Sequence, residues 1–302
     1  MSPQAFFFDS MSCFLIGTGL LLNGFIVIVN LLWWMKGQTI QTIKVLLTGL
    51  GLVRLVLLSM YVKYIYYLVA RLPLFQADSY PEYTATFMVC IASCSLWWGS
   101  VLCVFYCVKI TNYTNAMVTR LKMKISKMVP WLLLGSLFVS CLSTLPCRWM
   151  VFSSRLTNGT ENGNTETNVA NLVSIVLVTS IVPFMIFCVA ISLIIVSLLR
   201  HARNMCGRDS GFSDAQRDVH LSVLRSMVSF LLFYALYSVS YIVFTIIINA
   251  GSPTFTSACF TGLCAYPSLH SISLIVSNKD LKNSFCFVLS CTWLRIVQIQ
   301  PP

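Results

Sequence analysis

The sequence predicts an all-α protein, a bundle of seven membrane-crossing helices with an extracellular N-terminus and a cytoplasmic C-terminus. Three observations predict it. Of 302 residues, 57% are hydrophobic and only 10% charged, where a soluble domain carries about 25% charged residues. Seven stretches each supply the roughly 20 mainly apolar residues that a bilayer crossing needs. The Lys and Arg residues gather on one side of those stretches, which orients the chain.

The spans fall at about 11–35, 45–70, 84–109, 127–147, 170–199, 222–249 and 255–277, within one seven-helix domain over 1–302. The first has no basic segment before it, as a cleavable signal would, so it is expected to stay as a helix. KGQTIQTIK separates it from the second, and Pro73 and Pro81 punctuate the approach to the third. The loop from Thr111 to Lys127 precedes the fourth, and the Asn/Thr/Glu-rich stretch 153–168 precedes the fifth. The charged stretch 200–220 leads to the sixth, and Gly251-Ser252-Pro253 to the seventh. Runs this long and unalternating suit helices, not barrel strands.

Fifteen of the twenty Lys and Arg residues lie in or beside 36–44, 109–127, 200–225 and 279–295, which marks that side as cytoplasmic. Arg71, Arg148 and Arg155 lie on the other side, and Arg54 and Lys63 lie inside the second span. The net charge of +11 therefore reports sidedness and contact with anionic lipid headgroups, and no nucleic-acid partner is expected. The thirteen cysteines include many inside apolar runs, such as Cys90, Cys94 and Cys103, where cysteine acts as a small hydrophobe. Cys147, Cys259 and Cys264 lie near outer ends, where oxidation is conceivable.

Catalysis lacks its residues. His201, His220 and His270 are scattered, and no span as bounded above contains a carboxylate. A proton relay or a metal-dependent intramembrane hydrolase would need such groups. No catalytic residue, metal or cofactor is expected. The repeats and broken helices of carriers are not evident, so a multi-span transporter or channel is the alternative of another class.

LLTGLGLVRLVLL (46–58) puts one permanent charge in an apolar run. Arg54 lies ten residues past Lys44, about 15 Å along a helix and so near mid-membrane. A central Arg costs about 2.5–3.5 kcal/mol on insertion scales, so it is expected to face the bundle and donate to oxygens. Asn23 and Ser271 lie at matching depth. Lys63, nine residues further out, suits a rim position. In the sixth span Tyr234, Tyr237, Tyr241 and Phe244 recur at helical spacing and share one face.

Five stretches resemble the bitter taste receptors, the type 2 taste receptor family of G-protein-coupled receptors. They are LWWGSVLCVFYCVKI (96–110), LKMKISKMVPWLLLGSL (121–137), LIIVSLLRHARNM (193–205), SFLLFYALY (229–237) and YPSLHSISLIVSNKDLKNSF (266–285). They occur in the family's order and cover nearly the whole chain. The rhodopsin-like signatures are absent: Phe105-Tyr106-Cys107 stands where the acidic-Arg-Tyr triplet would end the third helix, and Arg54 replaces an aspartate. A cation site at that aspartate is thereby excluded by like charge. The vomeronasal type 1 pheromone receptors are the nearest alternative family.

The resemblance implies a plasma-membrane, multi-pass receptor that binds a small bitter agonist and activates a heterotrimeric G protein with a gustducin-like or other inhibitory-class α subunit. It implies a switch at Asn23, Arg54, His270 and Ser271. It places the binding face at Met88 and Ala92, where the family often carries Trp and Asn, so a more apolar agonist range is expected. Met185, Val189, Tyr237, Tyr241, Phe260 and Leu263 complete the expected ligand wall. Tyr106, Lys109, His201, His220 and Arg225 are the candidates for the G-protein face. Asn278-Lys-Asp-Leu-Lys would start a short amphipathic helix with Phe285 and Phe287 on its apolar side, and Cys286 and Cys291 are the sites lipidation would use.

Asn158-Gly-Thr160 lies in the longest polar outer segment, whereas Asn112-Tyr-Thr114 lies on the cytoplasmic side. Enzymatic deglycosylation of the surface-expressed protein is expected to increase its gel mobility, and Asn158→Gln is expected to abolish the shift. A shift lost instead in Asn112→Gln would invert the topology.

Overall fold

The computed structural model describes residues 2–37, 41–70, 80–110, 116–157, 180–197, 214–247 and 252–299. Among them the elements are α1 (Pro3–Met35), α2 (Thr42–Ala70), α3 (Tyr80–Ile110), α4 (Ala116–Thr157), α5 (Ser180–Ser197), α6 (Asp214–Ile247), α7 (Pro253–Ser277) and α8 (Lys279–Ile299). There is no strand among the described residues. The first seven are long and apolar enough to cross a membrane, in agreement with the seven-helix bundle expected from the sequence. Asn158, His201 and residues 170–179 of the expected fifth span lie outside the described residues.

Local chemistry sets the helix ends. Ser2 accepts the Ala5 N–H at 3.2 Å, and Pro3 stands at the first helical position, where its missing N–H costs nothing. This start lies eight residues before the expected one, and it corrects the expectation that no span carries a carboxylate. Phe6, Phe7 and Phe8 carry the apolar pattern across Asp9, which becomes part of the first crossing helix. At the other end Gly37, at φ +73°, turns the chain out of α1, and its N–H bonds the Trp34 carbonyl at 3.1 Å. Asn278 ends α7 in an extended conformation and accepts the Asp280 and Leu281 N–H groups at 3.1 and 3.2 Å, capping α8 within one residue. Phe285 then meets Phe25 of α1 edge-on at 5.2 Å, while Phe287 is exposed. At 21 residues, α8 is longer than the short helix expected.

Lipid tails offer helices no hydrophobic reason to associate, so close packing and interhelical hydrogen bonds must hold them. The α1–α7 seam meets that demand along its length. Ser2 and Thr254 pair at 2.8 Å, Ser12 and Thr261 at 2.9 Å, Ser268 donates to the Leu15 carbonyl at 2.8 Å, and Ser271 donates to Asn23 Oδ1 at 2.8 Å. Thr254, Thr261 and Ser268 stand seven residues apart, the repeat of a left-handed helix pair.

Two apolar clusters stack along the bundle. One joins α1, α2, α3, α5, α6 and α7 around Leu58, Leu96, Phe187, Phe230 and Tyr266. The other joins α1, α2, α3, α4, α7 and α8 around Leu47, Leu50, Val129 and Leu281.

Gly19 of α1 sits where α7 and α2 converge. A Cβ there would overlap the Ser268 hydroxyl and reach within 2.8 Å of Leu58 Cδ1, whereas one at Gly24 meets nothing within 4 Å. Gly19→Val is expected to lower the thermal midpoint of the purified receptor, at about 1–3 kcal/mol for overpacking. Gly24→Ala is expected to be neutral or stabilising by up to about 1 kcal/mol. Equal effects at both positions would contradict the seam.

Candidate functional site

Arg54 is fully buried and is among the largest such side chains in the chain. From α2 it reaches two other helices. Nε points to Ser95 Oγ of α3 at 3.5 Å, and Nη2 donates to the Tyr266 hydroxyl of α7 at 3.2 Å and to His270 Nδ1 one turn further along α7. A guanidinium only donates, so His270 receives this bond with a lone pair and its ring proton stands on Nε2. The guanidinium carbon also stands 5.1 Å from the centroid of the Tyr266 ring. Among the described residues every acceptor is neutral, and Nη1 has no partner.

This arrangement corrects the expected pairing of Arg54 with Asn23 and Ser271. Those two bond each other, while Asn23 also donates to the Gly19 carbonyl and Ser271 to the Pro267 carbonyl. Successive residues on a helix point about 100° apart. Ser271 therefore faces α1, and its neighbour His270 faces α2 and α6. The four expected switch residues thus form two adjacent pairs that share helix α7.

Aromatic rings extend the Arg54 network both ways. Towards the end of the bundle that carries the N-terminus, Tyr266 meets Tyr237 at 5.4 Å, and Tyr237 stacks on Tyr241 at 6.0 Å with 4° between the rings. Towards the opposite end, His270 meets Phe230 of α6 at 4.4 Å, and Phe230 meets Phe187 of α5 at 4.4 Å. A Cβ on Gly99 would come within 2.6 Å of Phe230, so only glycine lets that ring lie against α3.

Of the expected ligand wall, Ala92, Tyr237, Phe260 and Leu263 are buried in one cluster, with Met88 and Tyr241 packed against it. Met185 and Val189 do not join them. Each is 56% exposed on the outer surface of α5, because Pro183, Phe187, Ala190, Ile191 and Ile194 form its buried face. The α2 residues Tyr61 and Tyr64, absent from the expected wall, pack against it: Phe260 lies 5.4 Å from Tyr61 and 4.7 Å from Tyr64. Their three-residue spacing was the available signal.

Among the candidates for the G-protein face, Tyr106 is half-buried between the two apolar clusters. Lys109 and Arg225 are exposed, with Lys109 Nζ 5.9 Å from the Phe105 ring centroid. His220 belongs to α6, and its side chain lies outside what the structure describes. A narrow cleft of about 20 Å³ is lined by Tyr106, Phe187, Ser226, Phe230, His270 and Leu274 among others, so Tyr106 and His270 border the same space.

The sequence matches the family model described as Taste receptor protein (TAS2R) over residues 1–293. It is 34% identical over 286 residues to taste receptor type 2 member 119 of Rattus norvegicus, covering 91% of this chain and 82% of that one. It is 30% identical over 294 residues to taste receptor type 2 member 4 of Pan paniscus, covering 93% and 96%. Taste receptor type 2 member 2 of Homo sapiens is 29% identical over 282 residues, covering 90% and 92%.

Arg54→Leu inserts more easily but strands Ser95, Tyr266 and His270 in a dry core. It is expected to reduce surface expression or signalling at least about tenfold, and Tyr266→Phe, which removes one charge-assisted bond, to cost about 1.5–3 kcal/mol in thermal stability. A fully active and stable Arg54→Leu protein would contradict the hub.

Proposed function

We infer the mechanism from one premise: this chain belongs to the type 2 taste receptor family. It is a bitter-class chemosensory G-protein-coupled receptor, a multi-pass protein of the cell surface. Neither a vomeronasal-type receptor nor a transporter is favoured by its relatives. The basic-side rule supports an extracellular N-terminus, which makes the Tyr237–Tyr241–Phe260 end the outer one.

A small agonist enters from outside and binds between α2, α3, α6 and α7 against Met88, Ala92, Tyr237, Tyr241, Phe260 and Leu263. No covalent step is involved. The agonist acts by binding the active arrangement more tightly than the resting one. The observation that carries this reading is the unbroken packing from Tyr241 through Tyr237 and Tyr266 to Arg54, and from His270 through Phe230 to the inner cleft. A shift of Tyr266 on agonist binding bears directly on the Arg54 bonds, and His270 passes it to Phe230 and α6. The inner face around Tyr106, Lys109, His201, His220 and Arg225 then receives a gustducin-like or other inhibitory-class α subunit. Its basic loops rest against anionic lipid.

Expressing the chain with a promiscuous G-protein α subunit and recording calcium against a panel of bitter compounds tests the proposal. At least one compound is expected to give a saturable response that needs the α subunit. Silence across the panel with surface expression proven, or substrate flux that needs no G protein, would contradict it.

A further inference from the structure

Within the apolar crossing spans of the described residues, which run over Thr86–Ile110 in α3 and Leu224–Phe244 in α6, Asp9 is the only carboxylate. It lies on the inward stripe of α1 with Ala5, Ser12 and Ile16. It is 7% exposed, and its Oδ2 has no hydrogen-bond partner among the described residues. Flanking contacts hold it at a defined level of the bundle. Thr261 of α7 donates to the carbonyl of Phe8 at 3.0 Å, and its hydroxyl pairs with Ser12 at 2.9 Å, so the turn bearing Asp9 is tied beside Phe260.

Three rings share that level. Phe260 lies 4.7 Å from Tyr64 of α2 and 6.4 Å from Phe244 of α6, and Tyr64 lies 6.4 Å from Phe244. The Asp9 carboxylate is within electrostatic range of the Tyr64 phenol. A buried carboxylate with an oxygen left over is costly unless something positive completes it. A hard metal ion would want several oxygen ligands, and no cluster of three metal-binding side chains occurs among the described residues. One carboxylate beside aromatic faces instead suits a soft, weakly hydrated cation.

We propose that Asp9 with Tyr64, Phe244 and Phe260 forms a recognition site for a protonated or quaternary ammonium group on an otherwise apolar agonist. The site lies at the edge of the ligand wall and rests on the receptor reading above. It amends the expectation of a more apolar agonist range: the hydrocarbon body packs on the wall, and the ammonium turns to α1.

The test uses the full chain, with calcium recorded against quaternary ammonium bitter compounds and uncharged ones of similar size. Asp9→Asn is expected to raise the half-maximal concentration of ammonium agonists at least about thirtyfold, the scale of truncating a buried charge pair, and that of uncharged agonists less than threefold. Ammonium agonists equally potent on both receptors would overturn the site. So would a wild-type receptor that answers only uncharged compounds, and that result leaves the receptor reading standing. Thermal unfolding of the purified receptor without agonist gives a readout free of signalling. Asp9→Asn is expected to raise the midpoint by relieving an uncompensated charge. A lowered midpoint, with no further loss on adding Lys63→Gln, would make the carboxylate an internal partner and end the proposal.

Discussion

A permanently charged guanidinium inside a hydrocarbon slab, with only neutral acceptors around it, is the constraint on which the centre of this bundle depends. Arg54 cannot release its proton or reach water from full burial. Its insertion cost of about 2.5–3.5 kcal/mol is offset only if its donors find partners held in place by other helices. Ser95 supplies one from α3, and Tyr266 and His270 supply two from α7. Those acceptors are useful only at fixed positions, which is why the surrounding packing is tight. Gly99 brings Phe230 against Tyr266 and His270 from the α6 side, and the polar α1–α7 seam fixes the rotation of α7 about its axis.

The same seam explains why Asn23 and Ser271 matter without touching Arg54. Their bond sets the face of α7 that meets α1, and that choice sends His270, the next residue back, towards α2. Arg54 and Asn23 are thus linked through a helix rotation. The arrangement suits a receptor. A cluster satisfied by several moderate hydrogen bonds in a dry core has discrete alternatives, because each bond is either made or lost. A small displacement of Tyr266 would therefore change which bonds exist at Arg54 and how Phe230 rests on α5 and α7.

Much of this was legible in the sequence, for definite reasons. Seven spans follow from apolar length, and Arg54 stands out because a charge within LLTGLGLVRLVLL has few physical solutions. Its depth follows from the helical rise, so Asn23 and Ser271 were sound candidates by depth. Depth does not give rotation, however, and rotation separates Ser271 from His270. The outward turn of Met185 and Val189 was illegible for a related reason: α5 is apolar on every face, so no periodicity marks the side that packs. Asp9 was missed because an apolar count begun after it leaves it in a tail. Helix capping by Ser2 and Pro3, a signal carried by two residues, draws it into the bundle.

Arg54 and His270 are joined as one unit at the centre of the bundle. A double-mutant cycle of Arg54→Leu and His270→Leu, read as the unfolding free energy of the purified receptor, tests it most directly. The expected coupling is about 1.5–3 kcal/mol, the scale of a charge-assisted hydrogen bond, with the double variant less damaged than the two single losses combined. Additivity within about 0.5 kcal/mol, as for residues without a shared interaction, would contradict it.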